Sequence, residues 1–201
     1  MDYNTDHPST FRICANYFIQ MSGVPGTGKS TLARAIAPHW NAIVLDHDDT
    51  KSVIMATGIA NDLAGQASYN VIKALARRYV SGDQTVIIDS PCLHIDLLRY
   101  GQTLAQEFKI PYRYIECPVD DLNVLNARLE GRLRKPSQIR SLNEPLQVRG
   151  EGPPRDAHEV FAEWDRDMQR PDGTFLITDS TRSIARCIDE AVTSVADGEV
   201  H

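Results

Sequence analysis

One octapeptide, Gly23-Val24-Pro25-Gly26-Thr27-Gly28-Lys29-Ser30, constrains this chain more than any other stretch. It satisfies G-x-x-x-x-G-K-[ST] in full, a pattern that forms a phosphate cradle only where a strand leads in and a helix leads out. Both are present. Tyr17-Phe18-Ile19-Gln20-Met21 is apolar and β-rich, and Thr31-Leu32-Ala33-Arg34-Ala35-Ile36-Ala37 reads as helix. Gly23, Gly26 and Gly28 permit backbone angles and close approaches that a Cβ would obstruct, so successive N–H groups turn inward onto phosphate oxygens. The helix N-terminus adds its dipole and free N–H groups. Lys29 then reaches the β- and γ-phosphates, and the Ser30 hydroxyl is the expected Mg2+ ligand.

Downstream, apolar runs and amphipathic stretches alternate. Ala42 to Leu45 is a short buried-type strand ending in Asp46-His47-Asp48-Asp49, after which a helix should start near Asp48 and Asp49. Residues Asn61 to Gly82 carry Ala67, Val71, Leu75 and Tyr79 at helical spacing. Thr85 to Ile88 is a third strand closing at Asp89, and a helix with Leu97, Leu98, Gly101, Leu104, Ala105 and Phe108 on one side runs to Ile110-Pro111. Tyr112 to Cys117 is a fourth strand. A helix from about Asp120 repeats Leu122, Leu125, Leu129 and Leu133, and the pattern then dissolves among prolines and glycines between Arg134 and Pro154. That segment is the expected lid. A helix from Asp156 to about Met168, a strand at Thr174 to Thr178 and a last helix through Ile184, Ile188, Ala191, Val192 and Val195 complete the chain. Such alternation implies an α/β domain with a five-stranded parallel sheet and helices on both faces. Ligands collect at the carboxyl ends of its strands, where the phosphate loop, Asp46, Asp48, Asp89 and Asp179 all fall.

The 201 residues suit one domain, residues 16–201, preceded by a flexible arm at 1–15 and interrupted by the lid at about 134–154. A net charge of −6 lacks the basic footprint of a general nucleic-acid binder. Cys14, Cys92, Cys117 and Cys187 show no C-x-x-C or metal-ligand spacing, which implies reduced thiols and a reducing compartment. No apolar run reaches membrane-span length, and Met1 to Thr10 lacks the n- and h-regions of a signal peptide, so a soluble cytoplasmic protein is expected.

Acidic groups just beyond the second strand would face a γ-phosphate from the acceptor side. Among them Asp48 is the leading general base, with Asp46 as the alternative and Asp49 as the helix cap. Asp89, ending an apolar strand, has the position of a carboxylate that holds a magnesium hydration shell or orients the acceptor. Lys51 lies one turn past Asp48 and either steadies an acidic acceptor or pairs with that carboxylate. His47 and His94 border the crevice as hydrogen-bond partners rather than bases. Arg128 and Arg132, at i and i+4, should share a helix face and bind phosphate, with Arg134, Lys135 and Arg140 following in the lid.

The motifs together resemble the P-loop kinases of the polynucleotide kinase, zeta-toxin-like and gluconate-kinase-like group. The matching pieces are Ser22 to Thr31, Asp48-Asp49-Thr50-Lys51, Val86-Ile87-Ile88-Asp89, Arg128-Leu129-Glu130-Gly131-Arg132 and Thr178-Asp179-Ser180-Thr181-Arg182. The resemblance implies a P-loop NTPase domain with ATP and Mg2+ as cofactors and Lys29, Asp48, Arg128 and Arg132 as catalytic residues. It places nucleotide contacts at Gly23, Gly26, Thr27, Gly28, Lys29, Ser30, Thr31 and Arg182, acceptor contacts at Asp46, Lys51 and Asp89, and metal ligands at Ser30 and Asp89. The expected activity is transfer of the γ-phosphoryl group of ATP to a hydroxyl of a small molecule. The alternatives are a 5′-hydroxyl polynucleotide or nucleotide-sugar kinase, or a nucleotide-hydrolysing switch. Polynucleotide kinases typically carry Asp-Asp-x-Arg; Lys51 at the arginine place and the acidic composition disfavour a nucleic-acid acceptor.

Overall fold

The computed structural model of the chain describes residues 16–147 and 152–197, so the expected arm and residues 148–151 of the expected lid lie outside the described residues. Strands β1 (Phe18–Ser22), β2 (Ile43–Asp46), β3 (Val86–Asp89), β4 (Tyr112–Glu116) and β5 (Leu176–Ile177) form one parallel sheet in the order β2-β3-β1-β4-β5. Between and after them run α1 (Lys29–Ile36), α2 (His47–Ala56), α3 (Asn61–Val80), α4 (Ile95–Phe108), α5 (Leu122–Gly131), α6 (Ala157–Arg166) and α7 (Ile184–Asp197). The expected α/β architecture with five parallel strands is the observed one. The fifth strand is shorter than Thr174 to Thr178, although the Thr178 N–H still donates to the Glu116 carbonyl at 2.9 Å.

Because β1 is central, both of its faces are covered, and its side chains alternate between two cores. Tyr17, Ile19 and Met21 meet Leu32, Ile36, Ala191 and Val195 of α1 and α7. Phe18 meets Ile72, Ala76, Leu97 and Leu104 of α3 and α4. Each of the buried Ile, Leu, Val, Met and Phe side chains among them contributes about 1.5–3 kcal/mol by burial, which fixes the sheet and therefore the loops at its carboxyl edge.

Two expectations need correction. On α3 the buried stripe is Ala64, Ser68, Ile72, Ala76 and Val80, while Val71 and Leu75 of the expected stripe are exposed. Small side chains take the sheet-facing positions because they let a long helix lie close, so volume outweighs hydrophobicity there. The helix α5 stops at Gly131, which leaves Leu133 fully exposed and puts Arg132 in extended backbone, off the helix face of Arg128. Leu125 and Leu129 do pack inward, joining Val24, Leu142, Ala157 and Phe161 in a third cluster beneath the phosphate loop. Beyond α6, Arg170 donates from Nε and Nη2 to the buried Glu116 carboxylate, both at 2.7 Å, and so ties that segment to the end of β4. Cys92, Cys117 and Cys187 are free and buried. Among the described residues no helix is long and apolar enough to cross a membrane.

Candidate active site

The phosphate loop joins β1 to α1 through three residues of positive φ, Gly23, Gly26 and Gly28. Gly23 is the tightest: a Cβ there would stand 2.5 Å from the Cys117 carbonyl oxygen at the end of β4. Thr27 Oγ1 and Lys29 Nζ both donate to the Val24 carbonyl at 2.9 Å and hold the loop in its curve. Gly26, Gly28, Lys29, Ser30 and Thr31 line a cleft of about 1030 Å³. Gly23 and Thr27, also expected as contacts, are not on its wall, and Thr27 is fully buried with its hydroxyl turned to Val24.

Lys29 and Asp89 oppose each other at the base of this cleft. Burial lowers the Lys29 pKa, against the pull of Asp89. Burial likewise raises that of Asp89, against Lys29 and the Ser30 hydroxyl. Asp89 Oδ2 is buried without a hydrogen-bond partner. An orphaned carboxylate oxygen beside a hydroxyl is a donor set that fits a hard cation. Among the described residues no three of His, Cys, Asp and Glu are grouped as a self-contained metal centre, so a Mg2+ ion held by Ser30 and Asp89 would need further ligands from phosphate and water.

Across the cleft, strand pairing decides the fate of the acidic run. Register between β2 and β3 extends to Asp46 against Asp89, leaving Asp46 with the extended φ −85° and ψ 119° of an N-cap. Its Oδ1 accepts from the Asp49 N–H at 3.1 Å, so Asp46, rather than Asp49, caps α2. Asp46 Oδ2 receives Arg34 and Lys135 at 2.8 Å each, and Lys135 also reaches Asp49 Oδ1 at 2.7 Å. Burial alone would raise the Asp46 pKa, but the Lys135 and Asp49 hydrogen bonds hold it below the ordinary range. Asp48, in the first turn of α2, lines the cleft with Lys51.

His47 is stacked on Tyr69 with ring centroids 4.0 Å apart, its Nδ1 2.7 Å from Ser68 Oγ, and His94 meets the same ring edge-on at 5.5 Å. Burial pushes the His47 pKa down to about 4, against the attraction of Asp48. Between that value and the ordinary 6.5 the unfolded chain binds a proton that the folded chain refuses. His47 therefore stabilises the fold fully above its unfolded pKa and loses that contribution as pH falls through the window. Urea unfolding at pH 7 and pH 4.5 should show wild type losing roughly 2–3 kcal/mol more than His47→Gln; equal losses would contradict the burial argument.

Arg128 donates from Nη1 to Ser180 Oγ at 3.0 Å and from Nη2 to the Ser180 carbonyl at 2.7 Å. That Nη1 is 4.0 Å from where a Cβ on Gly28 would stand, which sets the guanidinium against the phosphate loop. Arg132 donates to the Ile139 carbonyl at 2.9 Å, while its Nε is buried without a partner. Arg182 pairs with Glu190 at 2.8 Å and lines the cleft near Ser180, Ile184 and Cys187. Arg134 and Arg140 are not on its wall, and Arg140 pairs with Glu144 at 3.5 Å. The wall also includes Lys135, read as part of a basic run, and Ser137 and Gln138, which no motif marks. Proximity to Asp48 across about 90 positions is invisible to periodicity.

Residues 18–144 match a family model described as AAA domain. No curated protein matches the sequence. Among solved structures, a protein of Chloroflexus aurantiacus aligns at 19% identity and TM-score 0.62 over 92% of this chain and 98% of that one. The APS kinase of Mycobacterium tuberculosis, solved with AMPPNP and APS, aligns at 14% identity and TM-score 0.57, covering 89% and 96%. A gluconokinase of Sinorhizobium meliloti aligns at 16% identity and TM-score 0.56, covering 90% and 91%. At these identities the likeness is one of fold.

Proposed function

The chain belongs to the AAA domain family, and on that premise we propose that it is an ATP-dependent phosphotransferase acting on a hydroxyl of a small molecule. The observation that carries this reading is the opposition, across one cleft, of a phosphate loop with Lys29 to the carboxylate of Asp48, with Arg128 and Arg132 on the same wall.

The loop N–H groups and Lys29 bind the triphosphate tail, and Arg128 and Arg132 spread the charge that builds on the transferred group. Ser30 and Asp89 would hold Mg2+, which when bound neutralises phosphate charge. Asp48 accepts the proton of the acceptor hydroxyl as its oxygen bonds to the γ-phosphorus and the bond to the β,γ-bridging oxygen breaks. Asp46 is the weaker base because two cations, Arg34 and Lys135, and the Asp49 N–H hold its oxygens, whereas the donors on Asp48 are the neutral Ser137 and Gln138. The partner is a small acceptor held by the walls around Lys51, Tyr69 and His94. The free, buried thiols accord with work in a reducing, cytoplasmic setting.

The test is transfer of label from γ-labelled ATP with Mg2+ to sugars, sugar acids, nucleosides, amino alcohols and 5′-hydroxyl oligonucleotides, beside a no-acceptor control. Label in one small hydroxyl compound is the expected result. Label confined to oligonucleotides would make the chain a polynucleotide kinase, and label found only in free phosphate would favour a hydrolysing switch.

A further inference from the structure

The backbone from Arg132 to Ile139 bends back onto α2 and covers Asp48. The Gln138 N–H donates to the Lys135 carbonyl at 3.0 Å, and the Lys135 N–H donates to Gln138 Oε1 at 3.2 Å. These two bonds close a turn and also fix the sense of the amide: with Oε1 engaged by the backbone, Nε2 is the end presented outward. It donates to Asp48 Oδ2 at 2.9 Å. Ser137 Oγ stands 3.3 Å from Asp48 Oδ1, so both carboxylate oxygens are in contact with the chain itself. The turn is anchored independently, by Ser52 Oγ donating to Ser137 Oγ at 2.9 Å and by Lys135 on Asp46 and Asp49.

We infer that Gln138 guards the base. The inference rests on the proposed role of Asp48: the amide occupies the carboxylate edge that an incoming hydroxyl must reach, and holds it from water until an acceptor displaces it. Water and acceptor compete for one step, in which the attacking oxygen bonds to the γ-phosphorus, ADP leaves with the electron pair of the bridging bond, and the proton goes to Asp48. Hydrogen bonds to a charged acceptor are the stronger kind, so breaking the one from Gln138 is a real cost. An acceptor offsets it with its other contacts in the cleft, and a lone water has none. Gln138 thereby sets the ratio of transfer to idle hydrolysis.

The experiment is phosphate release from γ-labelled ATP with Mg2+ and no acceptor, using the full chain and its Gln138→Ala, Gln138→Glu, Asp48→Asn and Gln138→Ala/Asp48→Asn variants. Gln138→Ala should release phosphate about tenfold faster than wild type, and the gain should vanish in the double variant. Gln138→Glu, which sets a second carboxylate against the first, should release at least as fast as Gln138→Ala. A structural defect lowers rates and does not produce this gain. Release at or below the wild-type rate in Gln138→Ala overturns the guard, as does a gain that survives in the double variant. The role of Asp48 stands or falls separately, on whether Asp48→Asn with Gln138 intact still labels the acceptor.

Discussion

Lys29→Met leaves the fold in place and lowers phosphoryl transfer by about a thousandfold or more, the scale of losing a principal charge at a developing phosphoryl transition state. Lys29 is only 8% exposed, and its ammonium donates to the Val24 carbonyl. Methionine matches the length of the stem, and Val24 keeps its bond from Thr27 Oγ1, so the loop retains its curve. The variant lacks only the charge. Asp89, which Lys29 draws toward ionisation, then titrates still higher, and the cation site weakens with it. Initial rates with matched thermal melts would check this; transfer within tenfold of wild type at unchanged stability would remove Lys29 from the phosphates.

Asp48→Asn should lower kcat by about a thousandfold while KM shifts only a few-fold, since the amide keeps the shape of the carboxylate and loses its basicity. An oxygen remains to accept from Gln138 Nε2, and the Ser137 hydroxyl can turn to accept from the new amide, so the turn over α2 stays seated. Full activity would exclude Asp48 and return attention to Asp46, whose oxygens are already committed to a cap and two cations.

What could be read in the sequence is what depends on neighbouring residues. The phosphate loop was legible because its glycines, lysine and serine do their work within eight positions, and the strands were legible because a doubly covered sheet needs unbroken apolar runs. The cap of α2 was not, because three carboxylates stand within four positions and the choice is made by how far β2 pairs with β3. The buried face of α3 was missed because Ala64, Ser68 and Ala76 carry little hydrophobic signal and are selected for size. Arg132 left its expected helix face because α5 ends at Gly131, earlier than the leucine repeat suggests. Gln138 gave no signal at all: an amide in a proline-rich stretch gains meaning only once the chain has folded back across the cleft.

The packing around Gly26 separates two motions. A Cβ at Gly26 would lie 3.2 Å from Leu129 Cγ and 3.4 Å from Leu125 Cδ2, so the underside of the phosphate loop rests on α5, and α5 in turn rests on Phe161 of α6. Tilting α5 would deform the anion grip. At Gly131, by contrast, a Cβ would meet nothing within 4 Å, and the chain turns out of the helix at the next residue. Gly131 is thus where the segment over Asp48 leaves the packed part of the site, so a displacement of that segment about this residue would leave the anion grip as it is.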